Sequence, residues 1–125
     1  MQQTGFEVTT GVGGTGVVGI LRNGEGATVL LRADMDALPV LEDTGLPYAS
    51  TATGRPLGSD RPVPVAHACG HDMHTTCLLG AAQLLALAQK NWAGTLIALF
   101  QPAEETANGA QGMVADGLAE LVGPV

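Results

Sequence analysis

A chain of 125 residues is the size of one domain, long enough to bury a core and too short for two comfortable domains. Five Lys and Arg against twelve Asp and Glu give a formal charge of −7, which argues against nucleic acid and anionic membranes as partners. Hydrophobic residues reach 46% but aromatics only 3%, so the core is expected to be aliphatic; with charged residues at 14%, part of the surface is expected to lie under other protein.

The first seven residues carry neither a basic n-region nor an apolar h-region, so they do not read as a signal peptide. Residues 6–10 form a short β-like run, 11–16 a glycine-rich turn, and 17–22 a second β-like run. Asn23-Gly-Glu-Gly26 is a tight-turn signal. Residues 28–33 are almost continuously apolar and are expected to be a central strand, buried on both faces. These three runs read as a meander. Gly11, Gly13 and Gly16 match G-x-G-x-x-G, and Asp34 and Asp36 fall near where a ribose-binding acid would sit. A dinucleotide site needs a helix straight after the glycines, however, and residues 17–21 read as a strand, so a turn is expected.

Residues 39–65 hold five of the seven prolines and read as a long loop on the surface or over a site. A helix is expected from about Asp72 to Lys90, with Asp72 at its start and Lys90 in its last turn. Met73, Cys77, Leu78, Ala81, Leu84, Leu85 and Ala88 give it a broad apolar face, so it reads as mostly buried. Its longest apolar stretch, residues 78–88, is too short to span a bilayer. Residues 94–101 are a second buried strand, which Pro102 ends, and a second helix is expected over about 108–118. Strands and helices in this order imply an α/β domain with a mixed sheet. Two cysteines, Cys69 and Cys77, are too few for a disulfide scaffold, so free thiols and a reducing, cytoplasmic compartment are expected.

Three clusters carry chemistry. Arg32-Ala-Asp-Met-Asp-Ala-Leu-Pro39 puts Asp34 and Asp36 at the end of a buried strand, where ligands of α/β sheets gather; two solvated loop acids would look the same. His67-Ala-Cys-Gly-His-Asp-Met-His74 puts Cys69 and His71 two residues apart in a turning segment, so both can reach one point. A thiolate with an imidazole suits zinc or another borderline divalent metal, although a Cys–His nucleophile pair or a buried thiol beside a helix cap also fits. Gln101-Pro-Ala-Glu-Glu-Thr106 places two adjacent carboxylates at a strand end, where one can bind metal while the other faces water. Alone, that pair would read as an ordinary helix start. All three fall at the ends of segments that should share one sheet, and together they point to a metal site.

With Leu31-Arg-Ala-Asp-Met-Asp-Ala-Leu-Pro39, His67-Ala-Cys-Gly-His-Asp-Met-His-Thr75 and Phe100-Gln-Pro-Ala-Glu-Glu105 in place, the chain resembles the M20 metallopeptidase/amidohydrolase family. The resemblance lies with the branch of hippurate hydrolases, N-acyl-amino-acid deacylases and auxin-conjugate hydrolases; Gly45-Leu-Pro-Tyr48 and residues 109–117 fit as well. It implies part of a zinc-peptidase-like catalytic domain, a mixed sheet flanked by helices, with two divalent ions, Zn2+ or Mn2+, in the intact site. Cys69, His71 and Glu105 would be metal ligands, Glu104 the general base, and Asp36 the acid that orients or tunes a metal-bound group. Asp34 stands where other branches place a ligand histidine, a role that Cys69 takes over in this one; His67 and His74 would support the site or the helix start.

The resemblance also implies a small-molecule N-acyl amino acid substrate and a homodimer built through a lid domain. Family members are much longer, and two more histidine ligands lie downstream in them. No lid is present in this sequence and no histidine follows His74, so residues 1–125 read as an internal piece of the catalytic domain. The expected function is metal-dependent amide hydrolysis. The alternatives are an inactive piece that keeps part of the metal site, or a non-enzymatic metal-binding or interaction module.

Overall fold

In a computed structural model, which describes residues 1–56 and 58–125, the chain forms a four-stranded mixed sheet with helices on both faces. Strands β1 (Glu7–Val12) and β2 (Gly16–Asn23) make an antiparallel hairpin. Its turn is closed by a bond from the Gly14 amide to the Gly11 carbonyl, so the glycine cluster joins two strands and opens no helix.

Strand β3 (Thr28–Asp34) does not continue the meander. Instead β6 (Gly94–Gln101) lies between β2 and β3, antiparallel to the first and parallel to the second. The correction has a physical cause. Parallel neighbours need a long crossover rather than a tight turn, and residues 35–93 supply one. The strand that takes the centre is also the most uniformly apolar: every residue of β6 except Thr95 is buried. Among the described strands β3 is an edge, and Val29 is 51% exposed, so the expectation of a strand buried on both faces fails over its first half. Only Ala33 and Asp34, at its end, are buried.

Alternation along β6 sorts the core into two layers. Leu96, Ala98 and Phe100 face α1 (His71–Leu87), together with Phe6, Leu21, Leu78 and Ala82. Ile97 and Leu99 face the other way and pack with Val12, Val18, Ile20 and Met113. Met113 belongs to α2 (Gly109–Ala115), and α3 (Leu118–Val122) closes the same face. The single helix expected over 108–118 is therefore two, separated by Gly117 in a left-handed conformation. Helix α1 is less buried than expected. Only His71, Leu78 and Ala82 are fully covered, while Leu84 and Leu87 are 69% and 72% exposed, because just one side of the helix has a sheet to lie on. Lys90 falls past its end, in a short 3-10 turn over Gln89–Asn91.

The proline-rich stretch is a loop with one small ribbon, β4 (Thr53–Gly54) with β5 (Val63–Pro64), and its ends are joined by a bridge between Leu38 and Ala66. Leu57, within that loop, lies outside the described residues. Among the described residues no helix is long and apolar enough to cross a membrane.

The segment from Pro102 to Asn108 links β6 to α2 in a tight, strained path. Ala103 and Ala107 take positive φ angles of 51° and 55°, and the Asn108 and Gly109 amides share the Ala103 carbonyl. A β-carbon at Gly109 would lie 1.6 Å from the Pro102 carbonyl oxygen, so only glycine fits. Gly80, in the middle of α1, has open space around it. Urea unfolding followed by circular dichroism is expected to separate the two. Gly109→Ala should destabilise the fold by about 3 kcal/mol or more, and Gly80→Ala should stabilise it by roughly 0.5–1 kcal/mol.

Candidate metal centre

Because β3 and β6 are parallel, their carboxyl ends open at the same edge of the sheet, and the first turn of α1 starts there too. The ladder runs one residue past β3, with the Met35 amide bonded to the Gln101 carbonyl at 3.0 Å. Asp36 then meets α1: its carbonyl lies 3.0 Å from His71 Nδ1. A carbonyl only accepts, so Nδ1 carries a proton and Nε2 is the nitrogen left to face the opening. Burial pushes the His71 pKa down. The bond to the Asp36 carbonyl and the negative charges of Asp36, Asp34 and Glu105 outweigh it, and the net shift is upward.

Asp36 also reaches the third cluster. Its Oδ2 accepts the Glu105 amide at 3.0 Å. Its Oδ1 lies 3.2 Å from His71 Nδ1 but is buried without a hydrogen bond, since that N–H is committed to the carbonyl. Gly70, at φ 79°, reverses the chain between Cys69 and His71, so the thiol and the ring meet instead of diverging. The result is a group of Cys69, His71 and Glu105 whose ligand atoms all lie within 4.8 Å of one another. Glu104 stands across the same imidazole, its Oε2 3.8 Å from Nε2. The five residues singled out in the sequence, Asp36, Cys69, His71, Glu104 and Glu105, are thus brought together.

The electrostatics bear on the two functional readings of Cys69. A lowered pKa favours a nucleophilic cysteine. Here the hydrogen bond and charge of Glu105 push the thiol up, and Glu104 and Asp36 add to the effect. A thiol, three carboxylates and one imidazole converge, and the nearby guanidinium of Arg32 is engaged with Asp34. A divalent cation would supply the positive charge this arrangement lacks. The donor set of thiolate, imidazole and carboxylate, with a buried unpaired carboxylate oxygen behind it, fits such an ion.

Asp34 is not in the group. It is buried, held by Arg32 and docked on His74 and Thr75. His74 therefore ties the strand to the helix, while His67 is exposed and, with Tyr48, Ser50 and Asp72, lines a cavity of about 360 Å³ that opens beside the site. An apolar groove of similar size, lined by Val29, Leu31, Leu85 and Trp92, lies at the opposite end of the sheet with no titratable group. Arg32, Thr75 and Gln101 went unassigned in the sequence. None is a usual metal ligand, and only the β3–β6 pairing puts the Arg32 Nε 2.8 Å from the Gln101 side-chain oxygen.

Comparison with known families decides the kinship. The family model for peptidase family M20/M25/M40 matches residues 30–124, which include all three clusters. The chain belongs to peptidase family M20/M25/M40. It is 48% identical over 121 residues to a hippurate hydrolase of Campylobacter jejuni, covering 96% of this chain and 28% of that protein. It is 44% identical over 118 residues to an N-acetyl-L-cysteine deacetylase of Bacillus subtilis, covering 94% of this chain and 26% of that one. Among solved structures, a dinuclear metal binding peptidase of the M20 family from Bacillus subtilis superposes with a TM-score of 0.77 at 35% identity, covering 94% of this chain and 31% of that one. The M20 chain described here thus spans little more than a quarter of the length of the curated relatives it matches.

The raised thiol pKa yields a direct check. In a Cys77→Ser background, with chelator present, the pH midpoint for alkylation of Cys69 by iodoacetamide is expected above that of an ordinary cysteine. Glu105→Gln removes the charge that opposes the thiolate, so the midpoint should move down. A midpoint that does not respond to Glu105→Gln would contradict the charge balance described.

Proposed function

We propose that this chain carries the core of a metal-dependent amidohydrolase site that cleaves the amide bond of N-acyl amino acids or similar conjugates. The observation that carries the reading is the convergence of Cys69, His71 and Glu105 within 4.8 Å, with Glu104 facing the same imidazole. The names of the M20 relatives, a hippurate hydrolase and an N-acetyl-L-cysteine deacetylase, support the substrate class.

In this reading Cys69, His71 and Glu105 hold a divalent cation, Zn2+ or Mn2+, with the thiolate favouring zinc. When bound, the ion polarises the scissile carbonyl and makes water acidic enough to attack near neutral pH. The remaining work falls to the chain. Glu104 takes a proton from the attacking water and returns it to the departing nitrogen as the C–N bond breaks, leaving a carboxylic acid and a free amine. Asp36 keeps His71 in the tautomer with Nε2 outward and holds the Glu105 amide, so two ligands are oriented by one residue. Residues 1–125 form part of an M20-type catalytic domain. On this proposal the lid, the homodimer built through it and the further ligands that the resemblance implies would lie outside residues 1–125. The free thiols are consistent with a cytoplasmic setting.

A second reading has its own observation. Three protein donors group together here, whereas the structural relative is described as dinuclear. The 125-residue chain would then bind one ion and not turn over. Metal analysis after purification, with assays of glycine release from hippurate and of N-acetyl amino acid deacylation, decides. The expected outcome is metal-dependent release that falls by about 10²–10⁴-fold in Glu104→Gln with metal content unchanged. Turnover indifferent to Glu104→Gln would sink the assignment of the base, and metal binding with no turnover in the unaltered chain favours the second reading.

A further inference from the structure

Asp36 orients two of the three proposed ligands, yet its own carboxylate is poorly anchored: among the described residues Oδ1 is buried without a hydrogen bond, and Oδ2 accepts from the Glu105 amide alone. Its position is therefore inherited from its neighbours in the chain. Two residues upstream, both backbone groups of Asp34 dock on the start of α1. The Asp34 amide donates to His74 Nδ1 at 3.2 Å, and the Thr75 hydroxyl donates to the Asp34 carbonyl at 3.0 Å. His74 Nδ1 also lies 3.4 Å from the Asp34 carboxylate. It cannot accept the amide hydrogen and donate to the carboxylate at once, and the carboxylate is held by Arg32.

The Thr75 contact is unusual for a helical threonine. The neighbouring Thr76 does what is ordinary, bonding back to the Asp72 carbonyl four residues earlier at 2.7 Å. The Thr75 hydroxyl instead leaves its helix and crosses to the strand that carries Asp36. His71 sits four residues before Thr75, one turn away on the same side of α1. The helix thus grips the strand at two levels, once through Thr75 and once through the His71–Asp36 bond.

Resting on the metal-centre reading above, we propose that Thr75, assisted by His74, is a positioning residue of that centre. Its hydroxyl sets the end of β3 against α1, so that Asp36 aims His71 Nε2 and Glu105 at one point. Removing the hydroxyl while keeping the shape leaves the Asp34 carbonyl unheld and lets Asp36 drift from the imidazole.

The test uses the whole chain and three substitutions: Thr75→Val, which is isosteric, Thr75→Ser, which restores the hydroxyl, and Thr76→Val as a control on the same turn. Two readouts apply. One is Co2+ affinity, followed by the thiolate-to-cobalt absorption band; the other, without metal, is the His71 tautomer from long-range proton–nitrogen NMR. Thr75→Val is expected to weaken Co2+ binding by about 10–100-fold and to mix the His71 tautomers. Thr75→Ser and Thr76→Val should stay close to the unaltered chain in both. The proposal is overturned if Thr75→Val leaves the tautomer unchanged, if Thr75→Ser behaves like Thr75→Val, or if Thr76→Val gives the same losses. Should the unaltered chain show no thiolate–cobalt band, the metal-centre reading itself fails, and the tautomer of Thr75→Val still decides whether Thr75 positions His71.

Discussion

The parallel pairing of β3 with β6 is the constraint on which the rest depends. It runs in register from Thr28 against Thr95 to Asp34 against Gln101. In an antiparallel pair, the acids after β3 and those after β6 would emerge at opposite ends of the sheet. In the parallel pair they emerge together, and the crossover helix begins at the same edge. Asp36, Cys69, His71, Glu104 and Glu105 come from three separate parts of the chain, and this one ladder makes them neighbours.

A sheet edge so crowded with acids is costly without a counterion. Asp36, Glu104 and Glu105 raise the Cys69 thiol pKa instead of stabilising a thiolate, and the Asp36 carboxylate keeps a buried oxygen with no donor. Backbone strain also gathers at this edge, in the positive φ angles of Ala103 and Ala107 beside the glutamates. Gly109, with no room for a β-carbon, lets that loop close tightly on the end of β6.

The low charge content also has a structural counterpart. Val29 on the edge strand and Leu84 and Leu87 on the outer side of α1 are exposed apolar residues, and an apolar groove opens beside Val29 and Leu31. These are faces of a sheet and a helix with no neighbouring layer among the described residues.

Much was legible in the residues alone. Apolar runs separated by Gly, Asn and Pro marked the four long strands and α1 to within a few residues, because alternation and helical spacing are local properties. The glycine cluster was readable as a turn because the β-branched run after it favours a strand over the helix a dinucleotide site needs. The chemistry of the site was readable from residue type: thiol, imidazole and paired carboxylates at strand and helix ends. Sheet order was not, since nothing in residues 28–33 says whether the strand joins β2 or awaits β6. Only the competition for the central place decided that, and the more apolar strand took it. The burial of α1 and the break at Gly117 were likewise set by which faces had something to pack against. Sequence by itself determined which groups this M20 chain brings to its site. Tertiary structure decided which of them meet, because distance between residues far apart in the chain is fixed by packing and strand pairing, and Asp34 and Asp36, only two residues apart, ended up with entirely different partners.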